Sequence, residues 1–125
     1  MAAWTSDELS KIGTTDEMQI AGLRADGTLR KPTTIWVVRH SGDLYSRSVN
    51  GPDSGWYRGV QARHEGHISA GGVEKDVTFV AADPAINDQI DAAYRAKYHR
   101  YAASIVNSVL IPQARSTTIK LTPRA

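Results

Sequence analysis

Basic side chains gather around one predicted β-hairpin, where they could bind a phosphate or carboxylate group. Arg30 and Lys31 precede a β-branched segment, and Arg39 ends it. The planar guanidinium of arginine offers two parallel donors to such an anion, and neighbouring hydroxyl or amide groups complete its hydrogen bonds. The returning part of the hairpin adds four further candidates: Ser46, Arg47, Ser48 and Asn50. The hairpin therefore predicts an anion-binding site, with a solvated sheet edge as the alternative interpretation.

An aromatic pair follows a loop rich in Gly, Pro, Asp and Ser. Trp56 and Tyr57 come directly after this loop, and Arg58 is the next residue. A tryptophan beside a loop can stack on a planar ring, while Arg58 or the first turn of a helix could hold an anion. Alternatively, Trp56 closes the mouth of a barrel as part of the core.

Other residues with reactive side chains give no complete catalytic pattern. His64 and His67 lie three positions apart without a third ligand, so no metal site is predicted. A stripe of tyrosine and lysine at helical spacing could transfer protons, although such a stripe is more typical of a core or a dimer interface. Its members are Tyr94, Lys97, Tyr98 and Tyr101. The absence of cysteine excludes a thiol nucleophile, and the catalytic residues stay unassigned.

These candidates belong to a chain of 125 residues, of which 41% are hydrophobic and 22% charged. This length and composition predict one globular domain over residues 1–125. Neither a signal-peptide pattern nor an apolar stretch of about 20 residues is visible, so we expect a cytoplasmic protein that does not cross a membrane. The net charge is +2, and the basic residues are scattered, which argues against nucleic acid as a partner.

Short strands and capped helices must position the candidate residues. Thr5 and Glu8 form the capping-box pattern of a first helix. The β-branched run 33–39 predicts a central, buried strand, and the chain returns as a second strand over 44–49.

Later segments complete the predicted architecture. Gly71 and Gly72 predict the turn of another hairpin, and a helix with an apolar stripe follows it. On this helix, Asp91 and Arg95 are four positions apart and predict an exposed ion pair. About six short strands with interleaved helices predict an α+β fold, mainly β: a small antiparallel barrel with flanking helices.

The order of several motifs resembles the flavin-binding split barrels, and the runs that carry this resemblance are 24–32, 35–38, 42–45, 50–51 and 55–57. Among these, the chain resembles the deazaflavin-dependent nitroreductase-like proteins and, more distantly, the pyridoxamine phosphate oxidase-like proteins. Over nearly its whole length the chain is also similar to an uncharacterised bacterial family, a domain of unknown function, within this superfamily. The hallmarks of that second resemblance are the runs 35–39, 50–54, 71–73, 93–98 and 121–124.

The resemblance implies a homodimer that binds FMN or a deazaflavin in a cleft between its subunits. In such proteins basic residues after a glycine turn hold the phosphate, and Arg30 and Lys31 occupy that place. The tryptophan of a Trp-x-x-Asn element lines the cofactor, and Trp56 occupies its place. Gly59 stands where this element has asparagine, which removes a side-chain amide from the cleft.

Two functions from different classes follow from these observations. The first is a flavin- or deazaflavin-binding oxidoreductase, which the basic hairpin favours. The second is a non-catalytic dimer that binds a small molecule, or no cofactor at all, in a vestigial cleft, which Gly59 favours.

Overall fold

Seven antiparallel strands form one sheet in the computed structural model, which describes residues 3–124. The strands are β1 (Glu17–Gly22), β2 (Thr33–Trp36), β3 (Val38–His40), β4 (Asp43–Ser46), β5 (Glu65–Ala70), β6 (Val73–Ala81) and β7 (Ile119–Pro123). The α-helices are α1 (Ser6–Thr14), α2 (Gly55–Arg63), α3 (Asn87–Lys97), α4 (Ala103–Asn107) and α5 (Pro112–Arg115). Single 3₁₀ turns occupy Gly51–Asp53 and Pro84–Ile86.

The order of the strands closes the sheet into a barrel. That order is β2-β1-β5-β6-β7-β4-β3, so β2 and β3 lie at opposite edges although only Val37 separates them in the chain. Because one residue joins the two edges, the sheet must curl back on itself. The predicted antiparallel split barrel with flanking helices is thereby confirmed.

The expectation of one central, buried strand over 33–39 is wrong. The segment is divided into two short edge strands, and Thr34 and Arg39 are exposed. Val37, which is fully buried, interrupts the ladder because its N–H donates to the Tyr98 hydroxyl at 3.2 Å instead of to a neighbouring strand. A bond from another element thus replaces a sheet bond at the point where the barrel closes.

Two side chains at the C-terminal end of α3, Lys97 and the capping residue Tyr98, stabilise this closure. The Tyr98 hydroxyl donates to the Asp16 carbonyl at 2.6 Å and accepts from the Val37 N–H, and so it connects the residue between β2 and β3 to the start of β1. Lys97 donates from Nζ to the Val37 carbonyl at 2.5 Å. Burial lowers the pKa of Lys97 to about 8, because desolvation disfavours its charged form.

Two hydrophobic clusters lie on the two faces of the curled sheet. One fills the barrel, and the other lies between the sheet and α3 and α4. Tyr94 and Tyr98 are fully buried in the second cluster, and the Tyr98 ring stacks on Trp36 with centroids 3.8 Å apart. The interpretation of the tyrosine and lysine stripe as part of the core is therefore confirmed for these two tyrosines. Because they are buried, they are not available as a dimer surface. Among the described residues, no helix is long and apolar enough to cross a membrane.

Candidate functional site

Two adjacent depressions share Thr33 and Trp56 as a common wall. The first, which we call the apolar pocket, has a volume of about 400 Å³. It is lined by Glu17, Thr33, Thr34, Ile35, Trp36, Ser48, Val49, Asn50, Trp56, Ile105, Ser108 and Val109. The second, which we call the basic groove, has a volume of about 550 Å³. It is lined by Arg24, Arg30, Lys31, Pro32, Thr33, Gly55 and Trp56.

A turn at Gly51 and a pair of serine hydroxyls bring Trp56 to this wall. Gly51 has a φ of +77°, a left-handed conformation that favours glycine. The hydroxyls of Ser48 and Ser54 are 2.7 Å apart and hold the loop against the chain after β4. Helix α2 then begins at Gly55, and the Trp56 ring meets Tyr57 edge to face with centroids 5.8 Å apart.

The hairpin between β1 and β2 carries the basic groove. Asp26 accepts hydrogen bonds from the backbone and hydroxyl of Thr28, at 3.0 and 2.7 Å, in a tight turn. Arg24 reaches across the turn and donates to the Leu29 carbonyl at 2.7 Å. The Arg30 N–H donates to the Gly22 carbonyl at 2.8 Å. These bonds fix the backbone from which the side chains of the groove extend.

The basic groove has three exposed cations, Arg24, Arg30 and Lys31, of which Arg24 donates to the Leu29 carbonyl of its own turn. Within residues 3–124, the side chains of Arg30 and Lys31 form neither a salt bridge nor a hydrogen bond. Unpaired cations in a concave surface raise the local positive potential and attract anions. The apolar pocket on the other side of Trp56 provides hydrophobic surface instead. The arrangement therefore combines a surface for a flat apolar group with a surface for a negatively charged group.

Arg47 does not join this site. Its side chain has no exposed surface, and its Nη1 bonds Asp91 Oδ1 at 2.5 Å and the Val109 carbonyl at 2.8 Å. Its Nε donates to Thr118 Oγ1 at 2.9 Å, and its Nη2 donates to the Asn87 carbonyl at 3.1 Å. Since its donors are occupied inside the protein, Arg47 is a structural residue that connects β4 to α3 and β7. The expectation that it stands beside Arg30 and Lys31 is wrong.

The structure separates the other predicted residues into two groups. Ser48, Asn50 and Trp56 line the apolar pocket, while Arg30, Lys31 and Trp56 line the basic groove. Four residues line neither depression: Arg39, Ser46, Tyr57 and Arg58.

Each of these four has another environment. Arg39 donates from Nε to the Ser41 carbonyl at 3.1 Å, and Ser46 is buried and donates to the Trp36 carbonyl at 2.9 Å. Tyr57 packs against the barrel core, where burial raises the pKa of its hydroxyl. Arg58 is an exposed residue of α2.

Several lining residues were not predicted from the sequence. Thr33, Ile35 and Trp36 belong to β2, which looked like part of a buried central strand. Their exposure depends on β2 being an edge strand. Arg24 could have been predicted as a lining residue, because it begins the same glycine turn that precedes Arg30. Ile105 comes from α4, and no sequence pattern near it indicates the pocket.

The two histidines do not form a metal site with their neighbours. His67 lies between Asp76, at 2.9 Å from Nδ1, and Glu74, at 3.3 Å from Nε2, on the β5–β6 hairpin. His64 ends α2 in a left-handed conformation with a φ of +60°. In the described part of the chain, no three His, Cys, Asp or Glu side chains are arranged to hold a metal ion.

Comparison with known proteins identifies both family and fold. The model of a family described as an uncharacterized protein conserved in bacteria (DUF2255) matches residues 8–121. No curated protein matches the sequence.

Three solved structures illustrate the shared fold. An F420 reductase has a TM-score of 0.53 at 16% identity, with 94% of this chain and 93% of the other covered. A FAD-binding protein from Mesorhizobium loti has a TM-score of 0.57 at 14% identity, with 98% and 92% covered. HutZ, a heme storage protein from Vibrio cholerae, has a TM-score of 0.68 at 13% identity, with 100% and 92% covered.

These likenesses confirm the resemblance to split-barrel proteins at the level of fold. The named resemblances are represented by the F420 reductase and by a pyridoxamine 5′-phosphate oxidase-like structure. The identities are low, and the three proteins carry names that refer to three different ligands. The fold alone therefore does not select a ligand, which depends on the residues of the site.

Proposed function

Because this chain belongs to the bacterial DUF2255 family and has the split-barrel fold, we propose that it binds a planar, phosphate-bearing cofactor of the flavin or deazaflavin class. One observation carries the proposal: Trp56 separates an apolar pocket from a basic groove, as a ligand with a flat ring and an anionic tail would require. An F420 reductase and a FAD-binding protein with this fold support the same class.

Each part of such a ligand has a physical counterpart in the site. The ring would lie in the apolar pocket, where Trp56 and Ile35 offer aromatic and aliphatic surface. The phosphate would lie in the basic groove, within reach of Arg30 and Lys31. Hydrogen bonds to charged groups contribute about 1.5–3 kcal/mol each, so the two cations could provide much of the affinity.

We propose an oxidoreductase as the activity. A bound flavin or deazaflavin supplies hydride transfer, whereas the protein binds the cofactor, orients its ring and excludes water. Trp56 and Ile35 would orient the ring and keep water from one side of it. Arg30 and Lys31 would fix the phosphate and so set the depth of the ring in the pocket.

A second candidate function is non-catalytic binding of a small molecule. The lining of the apolar pocket favours it. The polar side chains of this lining carry hydroxyl groups, the Asn50 amide and the Glu17 carboxylate, and none of the described lining residues is His, Lys or Tyr. Such a lining has few side chains suited to proton transfer. The heme storage protein shows that the fold also occurs in a protein named for storage.

The first prediction compares FMN, riboflavin and a deazaflavin in titrations of the purified protein followed by fluorescence. We expect Trp56→Ala to weaken binding of all three about 10- to 100-fold, because it removes stacking and buried area without changing charge. Arg58→Ala serves as the control and should bind like the wild type, since Arg58 lies outside both depressions. If the wild type binds none of the three below about millimolar, the cofactor proposal fails. Binding without turnover by any hydride donor would favour the second function.

The second prediction concerns a homodimer, which we propose from the resemblance and from the rim of the apolar pocket. Val49 and Ile105 line this pocket and are 46% and 48% exposed, so a second copy would bury apolar surface there. Sedimentation at micromolar concentration should show a dimer, and Ile105→Glu should shift it to monomer. A wild type that sediments only as monomer would refute the dimer.

A further inference from the structure

Helix α2 has a glycine in its interior, and the side chain of Arg30 lies directly over it. Gly59 is buried, and a Cβ added there would come within 2.8 Å of Arg30 Cδ and 2.9 Å of Arg30 Nε. Any larger residue at this position would therefore displace the Arg30 side chain. The contact joins the second turn of α2 to the hairpin that carries the basic groove.

Packing between the helix and the sheet does not explain this glycine. The close approach of α2 to β1 occurs at Gly22, whose added Cβ would lie 3.4 Å from the Gly59 backbone. That distance is an ordinary van der Waals contact. The Cβ of a residue at 59 would meet Arg30 instead of β1. Because glycine is less favourable than alanine inside a helix, Gly59 destabilises α2. The absence of a side chain at this position leaves room for Arg30.

We propose that Gly59 is a specificity-determining residue. Because it has no side chain, the Arg30 side chain can lie across α2 with its guanidinium facing the basic groove, where the positive charge selects a phosphorylated ligand over its neutral counterpart. We call this arrangement of Arg30 over Gly59 the seat. This inference rests on the proposed function and adds the basis of its selectivity. Gly59 has no side chain, and the Arg30 side chain occupies the space that a side chain at this position would take.

The seat matters because an exposed arginine is otherwise free to adopt many rotamers. Ordering such a side chain on binding costs conformational entropy, and a side chain already held in place loses less of it. The Arg30 backbone is fixed by its bond to the Gly22 carbonyl, and its stem is supported by Gly59. Its guanidinium has no salt-bridge partner within the described residues, so its charge is available to a ligand.

The third prediction tests this seat with Gly59→Ala, measured by the affinities for FMN and riboflavin and by thermal denaturation. Alanine favours the helix, and the residue it displaces is the flexible end of a side chain, so the melting temperature should stay equal or rise. The affinity for FMN should fall about 5- to 10-fold while that for riboflavin, which lacks the phosphate, stays unchanged. A variant that is more stable yet less selective is not expected from a merely structural role.

Arg30→Gln and the double variant complete the experiment. Arg30→Gln keeps a polar stem without charge and should lower FMN affinity about 10- to 150-fold, again with riboflavin unchanged. Adding Gly59→Ala to Arg30→Gln should cause no further loss, because both changes act through one guanidinium. If the wild type prefers FMN and Gly59→Ala keeps that preference, the seat is refuted while the proposed function stands. If the wild type binds neither FMN nor riboflavin, the seat is refuted, and the proposed function is refuted as well if the deazaflavin is not bound either.

Discussion

Replacing Asp91 with alanine should lower the free energy of unfolding by about 3–5 kcal/mol. Asp91 is the carboxylate partner of Arg47, whose side chain has no exposed surface, and its Oδ2 also lies 3.2 Å from Nε of the partly exposed Arg115. Without Asp91, the guanidinium would stay buried with only neutral partners, and an uncompensated buried charge is strongly destabilising. Since domains of this size are stable by about 5–15 kcal/mol, the variant should lose a large part of its stability.

Asp88 offers a matched control on the same helix. Its carboxylate pairs with Arg115 at 2.8 Å, but its side chain is 92% exposed, so Asp88→Ala should cost less than about 1 kcal/mol. Urea denaturation of both variants beside the wild type measures the difference. Equal stability of the Asp91 and Asp88 variants would show that Arg47 does not depend on its carboxylate partner.

Gly66→Ala should be nearly as damaging, at about 3 kcal/mol or more. Gly66 lies in β5 between β1 and β6, and an added Cβ would stand 2.1 Å from the Ala21 carbonyl oxygen and 2.8 Å from the Phe79 ring. The oxygen belongs to the backbone of a paired strand, so relief requires that β1 move away from β5. The variant should melt at a lower temperature and lose amide protection along β1.

Gly42→Ala is the control for the change from glycine to alanine itself. Gly42 lies in the turn between β3 and β4, and an added Cβ would meet nothing within 4 Å there. Its melting temperature should therefore stay close to that of the wild type. If Gly66→Ala melts like Gly42→Ala, the close approach of β1 and β5 is not rigid.

Elements governed by neighbouring residues could be predicted from the sequence. The capping box at Thr5 and Glu8 is present with both of its hydrogen bonds, at 3.1 and 3.0 Å. Gly71 and Gly72 form the turn between β5 and β6, both with positive φ. In each case the residues that determine the structure lie within a few positions of one another.

Features governed by distant residues could not be predicted. Residues 33–39 have the composition of one buried strand, yet a hydroxyl 61 positions later interrupts it at Val37. Arg47 and Arg30 look alike in the sequence, but Arg47 is structural because its guanidinium pairs with Asp91, 44 positions later. Asp91 itself was expected to form an exposed pair with Arg95, and that expectation is wrong because its carboxylate is buried against Arg47.

The order of the strands also has a consequence for synthesis on the ribosome. Leu44 of β4 pairs with Leu121 of β7, and the partners of Arg47 lie 40 to 71 positions downstream of it. At about 5–20 residues per second, the ribosome needs several seconds to make β7 after β4. During that interval β4 has an open edge, and Arg47 lacks Thr118, the last of its partners to be made. The nascent chain thus passes through a period in which binding by a chaperone would protect it from aggregation, and this period ends only when β7 emerges.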